Sequence, residues 1–369
     1  MQLDYQNSNL IFTEIPEGNV KWSAPSNIAL VKYWGKYPNQ IPANPSVSFT
    51  LSNSKTETEV FFSPKKGTKA EIEFYLEEQK NNQFGEKIGA FFEQIADVFP
   101  FLQQLDFVIY SHNTFPHSAG IASSASGMAA LALCICEIEQ KYFQTLSNEQ
   151  DFYKKASYIA RIGSGSACRS LFGGLVNWGN SVAVEGSSDE FGTQLSSPIH
   201  PDFYTYQDKI IIVDAGQKKV SSRVGHGLMN TNPFAQQRFQ QARENMQIII
   251  KAMQENDQAT FIKTVESEAL TLHAMMMCSD PYFLLMKPRT IEIIEKIFNF
   301  REKTGLDVCF TLDAGPNIHL LYPKRIENEV NEFINKEVKA SWHDFCQIQD
   351  EVGKGPQKMA TTSKNIVNS

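Results

Sequence analysis

Four absences narrow the reading of this chain. In 369 residues no uninterrupted apolar run approaches the ~20 residues that a membrane-spanning helix needs. The first residues, MQLDYQNSNLIFTEIPEGN, have neither a basic start nor an apolar centre, so no signal peptide and a cytosolic location are expected. The six cysteines are scattered and no CxxC or Cys/His cluster has metal spacing, which argues against a disulfide framework or a zinc site. There is no long basic run and the formal net charge is −7, so a nucleic-acid surface is not expected. The common phosphate-loop pattern, GxxxxGK followed by Ser or Thr, is missing as well.

Hydrophobic residues make up 42% and charged residues 20% of the chain, the balance of a soluble globular protein long enough for two domains. KWSAP, ALVKYW, SVSFTL, ETEVFF and EIEFYL read as strands, with β-branched and aromatic residues alternating with polar ones. GEKIGAFFEQIADVF has helical spacing, with Phe91, Phe92, Ile95 and Val98 on one side. DFVIYSHN predicts a further strand, and LVNWGNSVAVEG a hairpin. The polar, turn-rich stretch 187–202 is the best boundary, dividing a first domain over 1–200 from a second over 201–357. Beyond it, KIIIVDAG predicts a buried strand, three helices are expected near 233–254, 257–276 and 289–303, and strands follow in DVCFTL, IHLLYP and FCQIQDEVG. The pattern suggests an α+β fold with an antiparallel second sheet. The polar end, 358–369, is expected to be disordered.

Five segments carry candidate chemistry. Pro116–Gly127, PHSAGIASSASG, places small residues just before an apolar helix. A helix start offers unpaired N–H donors and a positive dipole end, a cradle for phosphate; ordinary serine capping is the competing reading. NIALVKYWGK sets Lys32 and Lys36 four apart, on one face if the segment is a strand; a solvated face is the alternative. GSGSACRS offers Ser164, Ser166 and Arg169, and arginine suits a two-pronged grip on carboxylate or phosphate. QKKVSSRVGHG adds Ser222 and Arg223 after a buried strand. TLDAGPN puts Asp313 between a hydrophobic strand and a tight turn, where it would act as a base or cap the turn. His273 lies on an apolar helix and reads as a core histidine, and Met275–Met277 as packing.

Together these segments resemble the mevalonate diphosphate decarboxylases of the GHMP superfamily, over about residues 22–357. SAGIASSASG is similar to that superfamily's nucleotide loop, while NIALVKYWGK, GSGSACRSLFGG, KKVSSR, DAGPN and VGKGPQ look like the decarboxylase signatures. The resemblance implies a two-domain GHMP kinase fold, its N-terminal domain like ribosomal protein S5 domain 2 and its C-terminal domain a ferredoxin-like sandwich. The active site would lie in the cleft between them. It implies ATP and Mg2+, a small-molecule substrate, a homodimer, and decarboxylation of mevalonate 5-diphosphate to isopentenyl diphosphate. Asp313 would then orient or deprotonate the 3-hydroxyl, with Lys32 at the reacting centre. Arg169, held by Asn27 and helped by Ser164, would grip the carboxylate. Tyr33, Lys36, Ser166, Ser222 and Arg223 would hold the diphosphate. Gly120, Ala122, Ser123, Ser124 and Ser126 would wrap the ATP phosphates. No motif names a protein ligand for the metal.

The sequence departs from the family's pattern at His117 and Ser118, at Pro45, and at His226 in VGHGLMNTNP, which falls near the expected diphosphate site. Two other readings stay open. One is a sister enzyme, a phosphomevalonate decarboxylase or a mevalonate 3-kinase. The other is a ligand sensor that keeps the fold without catalysis.

Overall fold

The computed structural model describes residues 5–116, 121, 123–196, 198–216 and 222–362, apart from the side chains of Ser222, Arg223 and Ser341. The first domain is built on two long strands, β1 (Gly18–Val31) and β2 (Ser46–Pro64), paired antiparallel over most of their length. KWSAP and the start of ALVKYW, expected as separate strands, belong to one strand that ends at Val31. Pro25 cannot donate to the ladder, and the register shifts between Pro25 and Asn27 instead of ending there. β3 (Ile72–Leu76), β4 (Gln79–Lys80), β5 (Leu105–Asn113), β6 (Leu175–Trp178) and β7 (Gly192–Gln194) complete the sheet with β12 (Gln357–Lys358). Helices α1 (Asn82–Gln94), α2 (Ser123–Phe143) and α3 (Glu149–Gly163) cover it. Ala125, Ala129 and Ala130 are fully buried, and these small side chains let α2 lie close to the sheet.

The second domain holds a four-stranded antiparallel sheet in the order β11-β8-β10-β9. Its strands are β8 (Tyr206–Ile211), β9 (Cys309–Leu312), β10 (Ile318–Pro323) and β11 (Gln347–Glu351). α4 (Ser222–Leu228), α5 (Ala235–Glu255), α6 (Gln258–Met277), α7 (Pro288–Thr304) and α8 (Glu327–Phe333) accompany it. The two domains share one apolar core, in which Ile28, Leu30, Val47 and Phe49 meet Tyr206, Ile210, Met246 and Phe261. Asp350 of β11 adds a polar clasp: its carboxylate accepts the N–H groups of Ser52 (2.8 Å), Asn53 (2.9 Å) and Ser54 (2.7 Å) from β2. Charge-assisted bonds of this kind contribute about 1.5–3 kcal/mol each, so the halves of the molecule are firmly docked.

Three expectations need correction. The stretch 187–202, expected as a polar, turn-rich boundary, carries the strand β7, which pairs with β6 in the first domain. The expected hairpin in LVNWGNSVAVEG is a four-residue strand followed by a loop, and β6 pairs with β2 on one side and with β7 on the other. The chain end is ordered through 362. β12 pairs with β1, the Met359 N–H donates to the Lys21 carbonyl (2.9 Å), and the Thr362 N–H donates to Glu59 Oε1 (2.8 Å). Turn-forming composition alone does not reveal a partner far away in sequence.

Candidate active site

Lys32 is the first residue beyond β1, so it does not share a strand face with Lys36. The chain turns at Gly35, whose φ of +96° favours glycine, and whose missing Cβ would lie 2.6 Å from the Phe239 ring. Lys36 goes its own way, its Nζ donating to Gln40 Oε1 (2.7 Å). Lys32 turns inward, 1% exposed, and its Nζ lies 3.2 Å from Asp313 Oδ1. Burial pushes the Lys32 ammonium below its ordinary range, and the Asp313 carboxylate opposes that shift. Asp313 sits in the turn after β9 and reaches Lys32 across the domain boundary.

Arg169, 3% exposed, comes from the short 3-10 segment Gly165–Leu171. Its Nε and Nη2 donate to Asn27 Oδ1 (3.2 and 3.1 Å), and its Nη1 donates to Ser46 Oγ. Asn27 is turned to receive it because its own amide donates to Ser170 Oγ (2.8 Å) and to the Ser166 carbonyl (3.3 Å). All these partners are neutral. No ion pair within 4 Å holds Arg169 among the described residues. Burial accordingly lowers its affinity for the proton, with Cys168, Asp313 and Tyr33 acting the other way. A guanidinium already desolvated and aimed by neutral oxygens is built to take an anion from outside.

Beside it, Tyr33 packs against Trp178 (ring centroids 4.6 Å apart) and His226 (4.2 Å), and its buried hydroxyl has no hydrogen-bond partner among the described residues. His226 Nδ1 accepts the Gly35 N–H (3.0 Å). Burial first, then the Lys36 and Arg169 cations, push its pKa down to about 3, so the ring is neutral. Ser164 and Ser166 are half-buried beside Arg169 in the chain.

On the nucleotide side, Ser123 and Ser124 open α2, half-buried and exposed respectively. Ser126 is fully buried, with Oγ 2.6 Å from Thr56 Oγ1, so this predicted phosphate ligand is turned into the domain. Gly120, Ala122, His117 and Ser118, and the side chains of Ser222 and Arg223, lie outside the described residues.

The comparisons with known proteins bear on this geometry. Residues 24–190 match the model of the diphosphomevalonate decarboxylase-like N-terminal domain, and residues 209–368 that of the mevalonate 5-diphosphate decarboxylase C-terminal domain. The diphosphomevalonate decarboxylase of Saccharomyces cerevisiae is 32% identical over 332 residues, covering 85% of this chain and 80% of the yeast protein. This chain belongs to the diphosphomevalonate decarboxylase family. The crystal structure of the Staphylococcus aureus mevalonate diphosphate decarboxylase has a TM-score of 0.80 at 30% identity, covering 94% of this chain and 99% of that one. A second solved structure, in complex with MVAPP, AMPPCP and magnesium, has a TM-score of 0.78 at 29% identity and covers 94% and 100%. The α+β, two-domain GHMP kinase fold expected from the motifs is therefore the fold of this family member.

Sequence reasoning missed Ser46 and Ser170, which aim the Arg169–Asn27 pair, and the buried pair Glu268–Arg238 behind Lys32. Charged residues within otherwise apolar helical faces were the available signal for the latter. Among the described residues no group of three or more His, Cys, Asp or Glu could hold a metal ion. Mg2+ takes phosphate oxygens and water readily, and the Ser123 and Ser124 hydroxyls stand at the start of α2.

Proposed function

We propose that the cleft holding Lys32, Asp313 and Arg169 carries out the family's reaction, ATP-dependent decarboxylation of mevalonate 5-diphosphate to isopentenyl diphosphate with release of ADP, phosphate and CO2. The observation that supports these roles most is the arrangement of charge. Two buried cations, Lys32 and Arg169, face one carboxylate, Asp313, and the hydrogen-bond partners of Arg169 among the described residues are neutral. A substrate carboxylate completes that balance.

The substrate's tertiary hydroxyl is a poor leaving group. Asp313 orients it and takes its proton as its oxygen attacks the terminal phosphoryl group of ATP, and ADP departs. The Lys32 ammonium offsets charge on the phosphoryl oxygens in flight. Bound Mg2+ neutralises phosphate charge and helps align the nucleotide. The new phosphate then leaves C3 and carries off the proton that Asp313 took, and the Asp313 carboxylate so restored steadies the positive charge that develops there. The bond from C2 to the carboxylate breaks, its electron pair becomes the C2–C3 double bond, and CO2 leaves. Arg169, oriented by Asn27 and Ser46, holds the carboxylate in line for this step. Tyr33, Lys36, Ser164, Ser166, Ser222 and Arg223 bind the substrate's polar end. The start of α2 receives the ATP phosphates through Gly120, Ala122, Ser123 and Ser124. The homodimer rests on the family resemblance and the cytoplasmic location on the sequence composition; no helix among the described residues is long and apolar enough to cross a membrane.

The test offers mevalonate, mevalonate 5-phosphate and mevalonate 5-diphosphate separately with ATP and Mg2+, and measures ADP and CO2 together. Equal ADP and CO2 with the diphosphate alone is the expected result. Equal products with the monophosphate would make it the sister decarboxylase, ADP without CO2 a kinase, and neither product a ligand sensor.

A further inference from the structure

We infer that helix α6 sets the separation of Lys32 and Asp313 through two positioning residues, Glu268 and His273; the inference rests on the roles proposed above. Lys32 and Asp313 come from different domains and stand 281 positions apart in the chain. Nothing in their local sequence fixes the 3.2 Å between Nζ and Oδ1. Yet the backbone of each is held by a side chain of the same helix.

Glu268, 0% exposed, accepts the Lys32 N–H at Oε2 (2.8 Å). Its partner Arg238 donates from Nη2 to the Lys32 carbonyl (3.2 Å), and Asn44 donates to the same oxygen (3.0 Å). Asn245 and the Arg238 Nη1 donate to Glu268 Oε1 (2.6 and 2.8 Å), so the carboxylate cannot swing. Both backbone groups of Lys32 are thus fixed at the point where β1 ends. Buried ion pairs contribute little net stability compared with apolar packing, and a role in placing Lys32 accounts for this one.

Five residues on, about 7.5 Å along the helix axis, His273 Nε2 lies 3.1 Å from the Asp313 carbonyl oxygen. A carbonyl only accepts, so Nε2 carries the hydrogen and Nδ1 is a bare acceptor. Nδ1 is buried and has no hydrogen-bond partner among the described residues. A leucine would fill the space without an orphaned acceptor, whose desolvation is unfavourable. The histidine therefore serves its other nitrogen, the one that holds the Asp313 turn. The sequence presents His273 as a satisfied core residue; it is only half satisfied, and the satisfied half faces the site.

The experiment uses the full chain with ATP, Mg2+ and mevalonate 5-diphosphate, and measures kcat, both KM values, the pH profile and the melting temperature. His273→Leu is expected to lower kcat by about 10- to 100-fold, as sub-ångström misplacement does, with both KM values within about twofold. His273→Gln, whose amide reaches where Nε2 does, is expected to stay within about threefold of wild type. His273→Asn, one methylene shorter, keeps the polarity but not the reach and is expected to match the leucine variant, which covers the case that leucine does not fold. Glu268→Gln keeps an acceptor for the Lys32 N–H but removes a charge that favours the ammonium, so the alkaline limb of kcat is expected to move to lower pH. Equal activity of the Leu, Asn and Gln variants at position 273, or a loss expressed in KM alone, would overturn the inference while leaving the proposed reaction intact. An inactive wild type would overturn both.

Discussion

Replacing Arg169 perturbs the proposed chemistry at the step that distinguishes decarboxylation from simple phosphoryl transfer. Its guanidinium spends Nε and Nη2 on Asn27 Oδ1 and Nη1 on Ser46 Oγ, in a setting 3% exposed to solvent. Arg169→Lys keeps the charge but not the fork. A single ammonium cannot meet Asn27, Ser46 and a substrate carboxylate at once, so at least one charge-assisted bond is lost, at about 1.5–3 kcal/mol. With 1.4 kcal/mol per decade, kcat/KM for mevalonate 5-diphosphate should fall about 10- to 100-fold. Arg169→Met also leaves the substrate carboxylate buried without a counter-charge, a loss of about 3–5 kcal/mol, or about 100- to 4,000-fold. The KM for ATP should stay within about twofold in both variants. A coupled ADP assay with parallel CO2 capture reads these values, and the melting temperature checks the fold. A methionine variant with kcat/KM within threefold of wild type would refute the assignment, as would a loss confined to ATP.

Two further perturbations test the scaffold. Burial holds the His226 and His273 pKa values near about 3 and about 4, below the ordinary 6.5. The unfolded chain therefore binds more protons below pH 6.5, and each histidine should remove up to about 1.4 kcal/mol of stability per pH unit on acidification, present in full above pH 6.5 and lost towards the folded-state values. Urea midpoints between pH 7 and pH 5 measure this; His226→Asn, which keeps an acceptor for the Gly35 N–H, should flatten the slope, and an unchanged slope would contradict the cause given. Gly35→Ala should destabilise by about 2–5 kcal/mol, because a residue at φ +96° is strained and its Cβ meets the Phe239 ring at 2.6 Å. Gly227→Ala, with nothing within 4 Å of its Cβ, is the near-neutral control.

The residues that local chemistry marks were legible in the sequence. Asp313 follows a hydrophobic strand, Lys32 stands among aromatics, and Arg169 lies within a run of small residues; the fold brings these three elements to one place. The long helices of the second domain were legible from their apolar spacing, with ends displaced by one to two residues. What was not legible depends on partners distant in sequence. Pro25 marked a break that pairing with β2 overrode, and β7 lies in a polar, turn-rich stretch that shows no strand until β6 pairs with it. Lys32 and Lys36 looked like one face until the Gly35 turn separated them. Ser126 looked like Ser123 and Ser124, but the helix carries it inward to Thr56. Glu268 and His273 act on backbone atoms, which leave no pattern in side-chain identity.

Asp313 provides the most direct measurement. Asp313→Asn keeps the size of the side chain and removes the base. In a single-turnover experiment with mevalonate 5-diphosphate and ATP, quenched and assayed for ADP and CO2 together, wild type should release both in equal amounts. The variant should release both more slowly by about 10²- to 10⁴-fold while binding the substrate within about threefold of wild type. ADP appearing from the variant at the wild-type rate would show that Asp313 does not activate the hydroxyl and would contradict the mechanism.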